Sequence, residues 1–293
     1  MRLPSPGGTP QAAGTGPRLL AVSDLHVRYP ENREIVRQLW PATAEDWLVI
    51  AGDVAELIAD VTWVLRTLSA RFSKVIWVPG NHELWTSRRD SLPLRGEERY
   101  LYLVEQCRAM GVLTPEDPYP VWRGPGGPVT VVPMFLLYDY SFRPDGAATA
   151  AEGLEQAYSR GVICTDEMLL HPDPYPSVQA WCRARLAATR RRLDALPAGA
   201  RTILVNHFPL VREPTRVLRY PDFAQWCGTT GTARWHVRFN AEAVVYGHLH
   251  IPRTTWHDGI RHEEVSLGYP REWRRRAARA PVPRQILPAA GPT

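Results

Sequence analysis

Five short polar segments carry the residues best suited to chemistry: Asp24-Leu25-His26, Gly52-Asp53, Pro79-Gly80-Asn81-His82-Glu83, Asn206-His207 and Gly247-His248-Leu249-His250. They offer carboxylate, imidazole and amide oxygen, with no thiolate. That donor set suits Mn, Fe, Co, Ni or Zn in a reactive site rather than a structural zinc knot. The D-x-H and H-x-H spacings put two side chains on one face of a strand end, a pair able to chelate a single ion. One strand end supplies only two or three ligands, so a set this large implies two divalent metal ions with a carboxylate between them. Of the nine histidines in the chain, five (His26, His82, His207, His248, His250) fall in these segments.

Each segment directly follows an apolar, Val/Ile-rich run of strand length, at residues 19–23, 47–51, 74–78, 201–206 and 243–246. A sixth run covers residues 129–133 and opens the most apolar stretch of the chain, residues 129–140. Helices are predicted over 33–40, 55–70, 97–110 and 177–196, the last starting on Ser177 as N-cap and ending in an arginine-rich turn. Strands alternating with helices indicate an α/β fold. In such sheets the carboxyl ends of the strands line the ligand crevice, so the five turns are expected to converge. Two segments break the rhythm, 141–176 and 209–239, with the length of lids or binding loops. Residues 1–16 read as a disordered arm, 17–275 as the folded domain and 276–293 as an Arg/Ala/Pro-rich frayed tail.

Composition narrows the class further. With 44% hydrophobic and 22% charged residues over 293 positions, the chain builds an ordinary buried core. No run approaches the roughly 18 apolar residues of a membrane helix, and the first sixteen residues have no apolar stretch of a secretory signal. Cys107, Cys164, Cys182 and Cys227 lie far apart, which argues against a disulfide framework. A cytoplasmic, membrane-free protein is expected. Lysine occurs once, at Lys74, so the net charge of +5 is carried by arginine. Guanidinium suits phosphate, but the Ala- and Pro-rich background points to genome composition rather than to nucleic acid as a partner.

D-L-H, G-D, G-N-H-E, N-H and G-H-L-H in this order resemble the calcineurin-like metallophosphoesterase family, with motifs spanning Asp24 to His250. The resemblance implies a four-layer α/β/β/α sandwich with a di-metal site at the C-terminal ends of its strands. It further implies that Asp24, His26 and His250 hold the first metal, that Asn81, His207 and His248 hold the second, and that Asp53 bridges both. His82, next to the ligand Asn81, would face the substrate as a catalytic acid. Glu56, three positions after the bridging Asp53, would hydrogen-bond the far nitrogen of that ring. Glu83 is expected to be structural. The Arg-Gly continuation of the Ser/Thr protein phosphatases is missing: Gly52-Asp53 runs on as Val54-Ala55-Glu56-Leu57. The chain lacks the length for the extra domain of the large repair nucleases, and it lacks none of the ligands that non-catalytic scaffolds lose.

The expected reaction is hydrolysis of a phosphate ester by a metal-bridging hydroxide. A small phosphomonoester leads as substrate, because the two long segments can close over a compact molecule. A phosphodiesterase acting on cyclic or linear nucleotides comes next, then a nuclease or an interaction scaffold. Arg143, Arg212 and Arg253 are the substrate-binding candidates, with Arg216 and Arg219 close by in sequence. Trp85, Trp226 and Trp235 read as core residues that could also stack on a base, and His171, His236, His257 and His262 read as structural or surface residues. Cys227 is given no chemistry. Segment 141–176 is expected to form a flap over the metals.

Overall fold

Strands form at all six apolar runs and at four further places. In a computed structural model that describes residues 16–90, 92–276 and 282–289, they are β1 (Leu19–Val22), β2 (Trp47–Ala51), β3 (Lys74–Val78), β4 (Val121–Trp122), β5 (Val129–Pro133), β6 (Thr202–Val205), β7 (Ala241–Tyr246), β8 (Arg253–His257), β9 (Ile260–Glu264) and β10 (Arg284–Leu287). The helices are α1 (Pro30–Arg37), α2 (Ile58–Ser69), α3 (Asn81–Leu84), α4 (Gly96–Ala109), α5 (Ala150–Ser159), α6 (Asp166–Leu169), α7 (Val178–Asp194), α8 (Trp235–Arg238) and α9 (Pro270–Trp273).

One sheet runs β10-β1-β2-β3 and the other β4-β5-β6-β7-β9-β8. The inner neighbours are parallel and the edge strands β10, β4 and β8 antiparallel. Side-chain alternation builds the layers. Leu19, Ala21, Val49, Ala51, Ile76 and Val78 of the first sheet meet Val131, Ile203, Val205, Ala243 and Val245 of the second. Their neighbours Leu20, Val22, Leu48, Ile50 and Trp77 point the other way, onto Val61, Leu65 and Val104 of α2 and α4. On the far side Val132, Leu204, Val244 and Tyr246 cover Leu193 and Trp235. Strands apolar on both faces, as these are, belong at the centre of such a four-layer sandwich.

Local signals hold where the chemistry is local. The Ser177 hydroxyl accepts from the Ala180 N–H at 3.2 Å, capping α7, a contact worth about 1 kcal/mol. The expected tail is corrected at residues 284–287, which form β10 against β1 in the register Leu19↔Leu287 and Ala21↔Arg284, with Ile286 fully buried. Without β10 the open edge of β1 would leave buried backbone groups unpaired. Four residues between Pro283 and Pro288 hold no periodicity to betray this. The expected arm lies outside the described residues up to position 15, as do 277–281 and 290–293. The run after residue 129 stops being a strand at Pro133. Residues 134–138 stay buried, with the Met134 N–H on the Val205 carbonyl and the Leu136 N–H on Asn206 Oδ1. Among the described residues no helix is long and apolar enough to cross a membrane. All four cysteines are free and buried.

Candidate metal centre

The parallel strands of both sheets end at one rim, and the five polar segments meet there. Asp24, His26, Asp53, His248 and His250 all take left-handed backbone, with φ of 54°, 40°, 53°, 69° and 55°. Side-chain-bearing residues adopt this region at a cost and keep it only where surrounding contacts over-determine it. Here the Asp24 N–H donates to the Gly52 carbonyl at 2.9 Å, the His26 N–H to the Asp53 carbonyl at 3.1 Å, and the His248 N–H to Asp24 Oδ2 at 3.0 Å. Gly52 is needed for space as well as for its φ of 86°: a Cβ would meet the Gly80 nitrogen and His207 Nδ1 at 2.6 Å.

Three groups of side chains offer ligand atoms within 4.8 Å of one another: Asp24 with His26 and His250, Asp53 with His207 and His248, and His26 with Glu56 and His82. In the first, His250 Nε2 lies 3.0 Å from Asp24 Oδ1 and 3.2 Å from His26 Nε2. Asp53 Oδ2 stands between groups, 3.4 Å from His207 Nε2, 4.0 Å from His26 Nε2 and 3.8 Å from His82 Nε2. Asn81 Oδ1, His207 Nε2 and His248 Nε2 are buried without a hydrogen bond. Such atoms are costly unless something else satisfies them, and lone pairs of this kind converging with two carboxylates fit divalent cations.

Outer contacts fix which atom of each ligand faces inward. His207 Nδ1 donates to the Ala51 carbonyl at 2.8 Å and His250 Nδ1 to Glu272 Oε2 at 2.7 Å, leaving both Nε2 atoms for the centre. The Ser266 hydroxyl donates to Asp24 Oδ2 at 2.6 Å. Asn81 Nδ2 donates to Asp166 Oδ1 at 2.9 Å. Glu83 accepts from the backbone N–H groups of Asp53, Val54 and Gly80 at 3.0, 2.8 and 2.9 Å, tying the ends of β2 and β3 together. Buried Arg99 bonds the carbonyls of Glu83 at 2.6 Å and Glu56 at 2.8 Å and pairs with Asp90. His82 Nδ1 lies 3.3 Å from Glu56 Oε1, and its ring is covered by Trp85, centroid to centroid 3.7 Å.

Burial should strip these groups of charge, yet the carboxylates win at several of them. Burial opposes protonation of His207, but Asp53 pushes it up to about 10. His250, slightly more open, is pushed up to about 10 by Asp24 and Glu272. Burial also works against charge on His82, and Asp53 and Glu56 together raise it above the ordinary imidazole value. Burial would raise Asp24, but His250 holds it well below the carboxylate range. Two rings go the other way. His248 is taken down to about 3 by burial and by the charge on His207. His26 is taken well below the ordinary imidazole value by burial and by the charges on His82 and His250. A site that retains positive charge against burial has the electrostatics of a cation site.

The structure thus brings together nearly all the residues read as ligands or acid, with Asn81 joined through its neighbour His82 and its own buried oxygen. The candidate arginines bond backbone carbonyls. Arg143 donates to the carbonyls of Ala147 at 2.8 Å and Ala148 at 2.9 Å, Arg212 to that of Arg143 at 2.9 Å, and Arg253 to that of Pro214 at 3.0 Å. Arg143 and Arg212 thereby tie segments 141–176 and 209–239 together, and Arg253 of β8 ties onto the second of them. Trp226 and Trp235 are buried in the core. Asp166, Ser266, Glu272 and Arg99 went unread. Only Glu272 had a local signal, as the third residue of a Pro-started turn, where it also accepts the Tyr269 N–H at 2.9 Å.

Comparison with known proteins follows the same lines. The family model for calcineurin-like phosphoesterases matches residues 17–252. The chain is 57% identical over 282 residues to the [acyl-carrier-protein] phosphodiesterase PptH of Mycobacterium tuberculosis strain H37Rv, covering 96% of this chain and 87% of that protein. The crystal structure of phosphopantetheinyl hydrolase (PptH) from the same organism superposes with a TM-score of 0.92 at 56% identity, over 96% of this chain and all (100%) of that one.

Proposed function

The chain belongs to the calcineurin-like phosphoesterase family, metal-dependent phosphoric ester hydrolases that use two divalent metal ions, and from that premise we propose that it hydrolyses the phosphodiester joining a phosphopantetheinyl group to an acyl carrier protein. The observation that carries this is 57% identity across 96% of the chain to a phosphodiesterase of that description. The phosphodiesterase reading that came second in the sequence analysis thereby moves ahead of the small phosphomonoester, with a diester on a protein as its proposed substrate in place of a nucleotide. A cytoplasmic site of action suits the four free, buried cysteines.

In this reading Asp24, His26 and His250 hold one ion, Asn81, His207 and His248 the other, and Asp53 serves both. The ions supply charge neutralisation for the phosphoryl oxygens and a water of lowered pKa. Asp53 and the two ligand sets would hold those ions side by side, and so set where the anionic ester can bind. An alkoxide is a poor leaving group, so a proton must reach its oxygen as the P–O bond breaks. His82 carries that proton, since Asp53 and Glu56 keep its ring protonated above the usual imidazole range. Glu56, 3.3 Å away, sets the ring orientation and takes up the positive charge on Nδ1.

The test is incubation with a phosphopantetheinylated carrier protein, followed by mass spectrometry of the carrier. Loss of the whole phosphopantetheinyl group is expected, abolished by chelation and restored by Mn²⁺. An untouched carrier, with an aryl phosphomonoester turned over at higher kcat/KM than an aryl diester, would return the monoesterase reading to first place.

A further inference from the structure

We infer that Asp166 is a positioning residue of the metal centre, one carboxylate oxygen that sets the amide of Asn81 and the indole of Trp85 together. The inference rests on the two-metal reading above and not on the identity of the substrate.

Asp166 lies in the segment between β5 and α7, far from any recognised motif, and is 1% exposed. Its Oδ1 accepts from Asn81 Nδ2 at 2.9 Å and from Trp85 Nε1 at 2.7 Å. The first contact decides which way the amide faces. An Asn side chain has a donor end and an acceptor end, and a carboxylate bonds only the donor end. Reversing the amide would set its oxygen against Asp166 Oδ1. With Nδ2 anchored, the amide oxygen points away from Asp166, and it is buried there without a hydrogen bond. An amide oxygen is the only atom of Asn that can serve a cation, so the anchor selects the ligating orientation.

The second contact reaches His82. The Trp85 indole, held by Nε1, lies over the imidazole with 3.7 Å between centroids and 32° between planes. His26 meets the same imidazole edge-on at 4.7 Å, and Glu56 takes Nδ1. The ring is therefore held at its Nδ1 edge and by two neighbouring rings, and one of these holds traces back to Asp166.

Backbone pairing explains how a residue so distant in sequence is delivered. The Thr86 N–H donates to the Leu169 carbonyl at 2.8 Å, and Trp85 forms an antiparallel bridge with Leu170. Residues 162–166 alternate inward and outward: Val162, Cys164 and Asp166 are buried, while Ile163 and Thr165 are exposed. The part of segment 141–176 nearest the metals is thus bound to the chain carrying Asn81 and His82.

The experiment titrates chelated protein with Mn²⁺, counting equivalents and affinities for wild type, Asp166→Ala and Asp166→Asn, and follows hydrolysis of a bis-aryl phosphate. Asp166→Ala is expected to weaken one of two equivalents by about 10–100-fold. The other equivalent should be unchanged, kcat lowered more than KM raised, and the melting temperature of the chelated protein preserved. Asp166→Asn keeps an oxygen that can accept both bonds and should recover the lost affinity to within a few-fold. Should Asp166→Ala not fold, Asp166→Thr, whose hydroxyl is too short to reach both donors, takes its place. Two equivalents bound with wild-type affinity by the truncated variant would overturn the inference. So would loss of both equivalents together with a drop in chelated-protein stability, or failure of Asp166→Asn to rescue. The wild-type count of two equivalents tests the two-metal reading separately.

Discussion

Two groups of buried histidines lie in this molecule, and only one of them is built for cations. At the rim, buried His207 and largely buried His250 stand next to Asp53 and Asp24, and both are pushed up to about 10. Under the second sheet, His236 of α8, His257 of β8 and His262 of β9 also meet, with centroids 5.1 Å apart for His236 and His262 and 4.8 Å for His257 and His262. His262 is held down at about 3 by burial and by its two imidazole neighbours, and neither of its ring nitrogens makes a hydrogen bond. The rings there pack edge to face, at 77° and 83°, much as His207 and His248 do at the rim at 78°, so ring packing does not separate the two groups and the carboxylates do. Of the three rings Asp258 bonds His236, at 3.0 Å, but it is 48% exposed and shared with Arg234. Among the described residues none of the groups with metal-ligand spacing falls in this cluster. Burial drives imidazole neutral in both places, at His262 as at His248 and His26, and only at the rim do close carboxylates push two rings, His207 and His250, up against it.

Substitutions can break this contrast, and the largest effect belongs to Asp53. Asp53→Asn removes a charge that lies within 4.0 Å of three histidines at once, so both ions should be lost with it and diester hydrolysis should fall by about 10³-fold or more, equivalent to several kcal/mol of transition-state stabilisation. Metal analysis with steady-state kinetics reads both, and a variant retaining two ions would mean that another group is the bridge. His82→Ala comes next: turnover should fall by about 10²–10⁴-fold with both ions still bound. Its companion Glu56→Gln removes a carboxylate that raises the imidazole pKa. An acid works only while protonated, so activity is lost as pH rises through that pKa. The alkaline limb of the kcat/KM profile should therefore move to lower pH in Glu56→Gln, and an unmoved limb would assign the proton to a different group.

His262→Leu sharpens the contrast from the other side and has the smallest effect. The pKa of His262 drops from 6.5 in the unfolded chain to about 3 in the fold, so the unfolded state binds the extra proton. Its contribution to stability is complete above about pH 6.5 and is lost as pH falls toward 3. Replacing it with Leu removes a buried polar group without partners, an effect of about 1–3 kcal/mol in the favourable direction before any packing change. Urea unfolding at neutral pH and at pH 5 should show a flatter acid loss than wild type, with metal content and hydrolysis unchanged. Weaker metal binding in His262→Leu would mean that the two histidine groups are coupled after all.

How much could be read in advance follows from where each contact lies along the chain. Asp24, His26, Asp53, Asn81, His82, His207, His248 and His250 were legible because each stands immediately after a strand whose apolar run is itself legible. Glu56 was found only through its spacing from Asp53. Asp166, Ser266 and Glu272 support ligands 85, 242 and 22 positions away, and an isolated acid or hydroxyl in a loop looks the same whether or not a ligand waits opposite. The contacts of the arginines were hidden for the same reason: a guanidinium has five donors, and which carbonyls it finds depends on how turns fold back. Strand β10 was hidden because four residues between prolines give no period to detect.

Composition and motif order, then, determined the α/β class, the rim on which the polar turns gather and the donor set that selects divalent metals. These are properties of nearest neighbours in sequence, where strand alternation and residue type act directly. The tertiary structure decided the rest: which nitrogen of each imidazole faces inward, which carboxylate oxygen lies between the ligand groups, which end of Asn81 is free, and which buried histidines carry charge. Those depend on distances between chain segments far apart in sequence, and Coulomb energy and hydrogen bonding change over a single ångström at that range.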